Sequence, residues 1–88
     1  MDNLKERYAK DEDDEVRESV ADNVNTTAKI LSELAQDESC FVCYLVAKNL
    51  NTSPETLAKL AQDEHSGVRE AVAKNPNTTA ETLAKLAL

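Results

Sequence analysis

The chain has 88 residues, 17 of them acidic and 10 basic, for a formal charge of −7. That balance repels phosphate backbones, and with no basic stripe and no run of about 18 apolar residues, nucleic-acid binding and a membrane span are both excluded. One glycine (Gly67), one histidine (His65) and two cysteines (Cys40, Cys43) leave no phosphate loop, no hydrolytic triad and no disulfide scaffold, so no enzymatic activity is expected.

The polar start Met1-Asp2-Asn3-Leu4-Lys5-Glu6 carries no apolar signal core, so a cytoplasmic setting is expected. Few chain breakers and only three aromatics (Tyr8, Phe41, Tyr44) predict one all-helical domain, 1–88, packed by Ala, Val and Leu. Residues 1–9 read as a capping helix, with Leu4, Tyr8 and Ala9 at the helical places later held by Ile30, Leu34 and Ala35. A helix over about 14–23 follows, carrying Val16 and Val20 at i, i+4 and Ser19 on the same face. The acidic run Asp11-Glu12-Asp13-Asp14-Glu15 at its start either complements the helix dipole as a solvated face or offers an electrostatic contact for a basic partner, and Asp13 serves as N-cap. It lacks the glycine and terminal glutamate of a calcium loop. Asn23 is placed to end the helix in the left-handed conformation. A second helix, about 27–35, buries Leu31, Leu34 and Ala35.

This pair then recurs. Helices over 40–49 and 53–61 carry Val42, Leu45, Val46 and Leu57, Leu60, Ala61; helices over 66–75 and 79–87 carry Val68, Ala71, Val72 and Leu83, Leu86, Ala87. Ser39 and, more weakly, His65 are candidate N-caps; Asn49 and Asn75 recur as helix stops. Thr52-Ser53-Pro54-Glu55 and Thr78-Thr79-Ala80-Glu81 read as capping boxes, and Glu55–Lys59 and Glu81–Lys85 as outward i, i+4 pairs. Residues 34–59 and 60–85 are identical at 17 of 26 positions, and residues 8–33 match the third copy at 14 of 26. The chain is therefore expected to be a short α-solenoid of three two-helix repeats, 8–33, 34–59 and 60–88, behind the cap helix 1–9. Each helix is too short to stand alone in water, so stacking must stabilise it.

The unit Leu60-Ala61-x-Asp63 … Val68-Arg69-x-x-Val72-Ala73-x-Asn75-Pro76-Asn77-Thr78 … Leu83 resembles the leucine-rich repeat variant family, a relative of HEAT-like repeats, over essentially the whole chain. The resemblance implies a right-handed superhelix of short helices, with room for one of them to be 3₁₀ rather than α. It implies little about function, because a fold does not set one. Some members carry an iron–sulfur module built on a cysteine cluster ahead of the repeats; no such cluster stands here, so no cofactor is expected. By analogy Asp11 meets Arg17 and Asp63 meets Arg69, while Asp37 lacks that arginine because Cys43 replaces it.

The second repeat departs from its neighbours. Where the first and third carry Asp14/Ser66, Glu15/Gly67, Arg17/Arg69 and Glu18/Glu70, it carries Cys40, Phe41, Cys43 and Tyr44. These places lie off the valine stripe and are expected outward or on its shoulder. One account has Phe41 and Tyr44 fold over neighbouring repeats to enlarge a thin core. The other makes Cys40, Phe41, Cys43 and Tyr44 a contact patch for a protein partner or a second copy of the chain. A third uses Cys40-x-x-Cys43 as zinc or iron–sulfur ligands or as a redox dithiol; four ligands would then need two chains. The C-terminal Leu83-Ala84-Lys85-Leu86-Ala87-Leu88 reads as ending mid-stripe, so either this face docks on another molecule, a homodimer being the expectation, or the sequence is a fragment of a longer array.

Overall fold

A computed structural model of the chain describes residues 3–88, with side chains from Glu6 onward; Met1, Asp2 and the side chain of Leu4 lie outside the described residues. Among the described residues seven helices follow in order: α1 (Asn3–Tyr8), α2 (Asp14–Asp22), α3 (Ala28–Leu34), α4 (Cys40–Lys48), α5 (Pro54–Leu60), α6 (Ser66–Lys74) and α7 (Ala80–Leu86). All are α-helical, so the 3₁₀ expectation does not hold, and among the described residues there is no strand. None is long and apolar enough to cross a membrane. α4 packs against both α2 and α6, and α3 and α5 against the helices that flank them in sequence.

The valine and leucine stripes are the core. Val20, Val42, Val46, Val68 and Val72 meet Ile30, Leu31, Leu34, Leu57 and Leu60, all buried. Ala21 and Ala47 are fully buried too, letting backbones approach closely. The stripe thins at the ends: Ser19 is exposed and turns its hydroxyl to the Glu15 carbonyl, Val16 is half-buried, and Leu83 is exposed. Tyr8 is also exposed, unlike its counterpart Leu34, while Ala9 is buried.

The caps differ from expectation by one residue. Thr27, Ser53 and Thr79 are the N-caps of α3, α5 and α7, accepting from the amides of Ile30, Thr56 and Thr82. Ser53 and Thr79 also donate to the Thr56 and Thr82 hydroxyls, so the reciprocal pair is hydroxyl to hydroxyl, not Thr52 to Glu55 or Thr78 to Glu81. Thr26, Thr52 and Thr78 instead donate inward to the Val20, Val46 and Val72 carbonyls, each at 2.6 Å, and satisfy the ends of α2, α4 and α6. Asp13 and Ser39 cap as expected, and His65 makes no side-chain cap bond. Glu55–Lys59 and Glu81–Lys85 do not form ion pairs; Glu70–Lys74, at 3.5 Å, does. Such exposed pairs contribute only a few tenths of a kcal/mol, too little to hold two long side chains together.

The recurring asparagines have another job than the one expected. Asn23, Asn49 and Asn75 have extended backbones, and among the described residues no side-chain-bearing residue has positive φ. Asn49 Nδ2 donates to the Ala21 and Asn23 carbonyls, and Asn75 Nδ2 to those of Ala47 and Asn49. Asn51 and Asn77 repeat the device one turn further, donating to Val24 and Thr26, then Leu50 and Thr52. Each amide thus ties a helix end to the equivalent end one sequence unit earlier. An asparagine suits this because it donates two hydrogens to the neighbour while its oxygen takes the turn amide two residues on, as Asn49 does from Asn51 at 2.8 Å.

Candidate functional site

The outer face of α4 is where the second sequence unit departs from the others. Its N-cap Ser39 starts the helix, and the inward Val42–Leu45–Val46 face fixes its rotation. Phe41 is then 49% exposed, and Tyr44 is half-buried on the edge of the core. The two rings stack, 5.8 Å between centroids at an interplanar angle of 17°. The Lys48 ammonium lies 5.3 Å from the Tyr44 ring, within cation–π range. Holding the rings against each other and under a cation limits their rotamer freedom before any partner arrives.

The ridge separates two clefts. On the α2 side Phe41 and Leu45 face Glu15, Glu18, Ser19 and Asp22 across about 390 Å³. On the α6 side Tyr44, Lys48 and Leu50 face Gly67, Glu70, Ala71, Lys74 and Pro76 across about 350 Å³. Leu50 and Val24 are exposed at 66% and 79%, unusual for apolar side chains of this size. Lys48, Leu50, Gly67 and Pro76 belong to this surface and were not anticipated from the sequence. A signal was present: Val24, Leu50 and Pro76 hold one turn position in all three copies, where a solvated turn has no use for an apolar side chain.

Of the four residues singled out from the sequence, the structure gathers three at the surface. Cys40 is exposed beside Phe41 in the chain. Cys43 is not on the patch; at 4% exposure it belongs to the core. Its thiol points at the Ala35 and Asp37 carbonyls, 3.4 Å from each. Burial, then the negative charges of Asp63 and Asp37, pushes its pKa up to about 11. The thiolate that metal binding or redox exchange requires is disfavoured there. Among the described residues no group of three or more His, Cys, Asp and Glu side chains converges as metal ligands would.

Cys43 occupies the slot of Arg17 and Arg69, and the slot explains its burial. Arg17 Nη1 donates to the Asp11 carbonyl at 2.7 Å, and Arg69 Nη1 to the Asp63 carbonyl at 2.6 Å. Cys43 donates to the matching Asp37 carbonyl, a weaker version of the same contact. Arg17 and Arg69 thus meet Asp11 and Asp63 as the analogy implied, but through the backbone carbonyl of each aspartate and not its carboxylate. The carboxylate that Arg17 meets belongs to the next copy, with Nε donating to Asp37 Oδ2 at 2.7 Å and Nη2 to Oδ1 at 3.2 Å. Asp37 does have an arginine, from the preceding unit. Burial alone would raise its pKa, but the bonds from Arg17 and the Ser39 amide and the Arg17 charge outweigh that and hold it below its ordinary value. Asp63, which has Cys43 and no arginine at the corresponding place of the preceding copy, turns to the His65 amide and Nδ1 at 2.8 and 3.1 Å.

Compared with protein-family models, with curated proteins and with solved structures, the chain matches none.

Proposed function

We propose that the chain is a non-enzymatic protein-interaction module, a short right-handed α-solenoid of the leucine-rich repeat variant type that binds through the outer face of its central repeat. The observation that carries the reading is the stacked Phe41–Tyr44 pair, half in solvent, where the flanking copies place Glu15 and Glu18 on one side and Gly67 and Glu70 on the other. Exposed, preorganised aromatics ringed by charge are typical interface anchors. The solenoid part rests on inter-helix bonds that recur in register, Asn49 and Asn51 repeated by Asn75 and Asn77. The test is a paired capture experiment on a lysate of the source cell with the wild type and Phe41→Glu/Tyr44→Lys. The double variant is expected to keep its helical circular dichroism and lose the proteins the wild type retains. Loss of helicity would assign the rings to the core, and an unchanged set of captured proteins would move the site elsewhere.

A second copy of the chain is the other occupant this surface supports. The end of α7 favours it, since Leu83 and Leu88 are exposed and Leu86 only half-buried. Light scattering at high micromolar concentration distinguishes the two: a dimer that Leu83→Lys disperses supports self-association, and a monomer refutes it.

A further inference from the structure

We infer that the face of α4 takes a basic peptide segment of a partner protein, with a Lys or Arg over α2 and one apolar side chain in the cleft between α4 and α6. This rests on the binding-module reading and adds to it the chemistry of the partner. The two clefts flank one ridge but differ in kind, and that difference is the basis for the assignment.

The α2 side is uncompensated acid. Asp14, Glu15, Glu18 and Asp22 are carried on α2, and among the described residues none of them is in an ion pair. The one cation of that helix, Arg17, is turned away to Asp37 and to the loop carbonyls of Asp11 and Glu12. Glu18 reflects the crowding: desolvation first, then Asp14, Glu15 and Asp13, hold its carboxyl above the ordinary range. A cation from outside relieves that repulsion, and an acidic or phosphate-bearing partner worsens it.

The α6 side is a hollow of mixed lining made by a missing side chain, with Lys48, Glu70 and Lys74 standing beside its apolar residues. Gly67 is the only glycine in the chain and sits in the first turn of α6. Its φ is not positive, and a Cβ built on it would meet nothing within 4 Å. Neither backbone geometry nor packing therefore requires glycine there, although glycine weakens a helix. What its bareness does is leave room beside Tyr44, where the other two copies project Glu15 and Phe41. Leu50, Ala71 and Pro76 supply the apolar lining. Successive clefts between packed helices lie about 8–10 Å apart. An extended peptide covers about 3.3–3.6 Å per residue, so the cation and the apolar anchor should stand about two to three residues apart.

The experiment is to pan a phage-displayed library of random peptides against the whole chain and measure the selected peptides by fluorescence anisotropy. Selected peptides are expected to share a Lys or Arg about two to three residues from an aliphatic or aromatic residue and to bind more weakly as salt rises. Gly67→Leu should fill the hollow, keep or raise the melting temperature, and weaken binding about tenfold or more. The reversal Glu15→Lys/Glu18→Lys/Asp22→Lys should weaken it about tenfold and lose the salt dependence. Selected peptides that need Phe41 and Tyr44 but are not basic, or that ignore Gly67→Leu, overturn this inference and leave the binding-module reading standing. Selection that yields nothing dependent on Phe41 and Tyr44 overturns both.

Discussion

Removing the asparagine that ties neighbouring units together should cost far more in the middle of the molecule than at its start. Asn49 is buried; its amide donates to the Ala21 and Asn23 carbonyls at 2.8 and 3.0 Å, and its oxygen accepts from Asn51 N at 2.8 Å. Asn49→Ala removes all three bonds. At about 0.5–1.5 kcal/mol net for each, the loss is about 1.5–4.5 kcal/mol. The upper half of that range applies if the two carbonyls stay dry after truncation. Asn23 holds the same place in the first copy but is exposed, and among the described residues only its turn bond from Asn25 N would go, about 0.5–1.5 kcal/mol. The contrast between the two is therefore about 1–3 kcal/mol. Urea denaturation followed by circular dichroism measures it directly. With a slope of about 1 kcal/mol per molar for a domain this size, the two midpoints should differ by about 1–3 M. Equal midpoints for Asn23→Ala and Asn49→Ala would refute the assignment of the asparagines as inter-unit ties and return them to a purely local, helix-ending role.

Other outcomes follow from the same contacts. Asp37 titrates below its ordinary value of 3.8 when folded, so its pair with Arg17 stabilises above that pH, and the contribution fades as pH falls through the lowered value; the urea midpoint of the wild type should drop more steeply below pH about 4 than that of Asp37→Asn, and parallel curves would contradict this. Thiol titration should find Cys40 reactive at neutral pH and Cys43, with its pKa near 11, reactive only after unfolding; two equally fast thiols would contradict the burial of Cys43. Gly67→Ala should stabilise the fold by up to about 1 kcal/mol, seen as a higher melting temperature, because the added methyl meets open space and the helix gains propensity. A lower melting temperature would mean that the α6 backbone does need glycine.

How far the sequence carried the reading depends on the range of the interaction concerned. Valine and leucine spacing, hydroxyl caps and the 26-residue identity are local or periodic properties, and they placed the described helices to within about a residue or two at each end. The same periodicity exposed Phe41 and Tyr44 as departures from copies that act as controls. Three things escaped it. Asn49 and Asn75 looked like left-handed helix ends because their partners lie 26 and 28 residues away, beyond any local pattern. Arg17 reaches Asp11 of its own unit as expected, but the carboxylate it also bonds is 20 residues on, in the next. Cys43 was placed on the surface by its distance from the valine stripe, yet the slot it fills is lined by the loop before α4 and is closed to solvent.

These outcomes share one physical cause. A helical repeat encodes in one dimension which side chains share a face, because 3.6 residues per turn sets that geometry within a single element. It does not encode what the next element places opposite that face. That is decided only when helices pack, when buried donors and acceptors must find partners wherever the neighbouring backbone offers them. The helices and their apolar stripes were therefore properties of the sequence by itself. The destinations of Asn49, Arg17 and Cys43, and the hollow that Gly67 opens beside Tyr44, came only from tertiary structure.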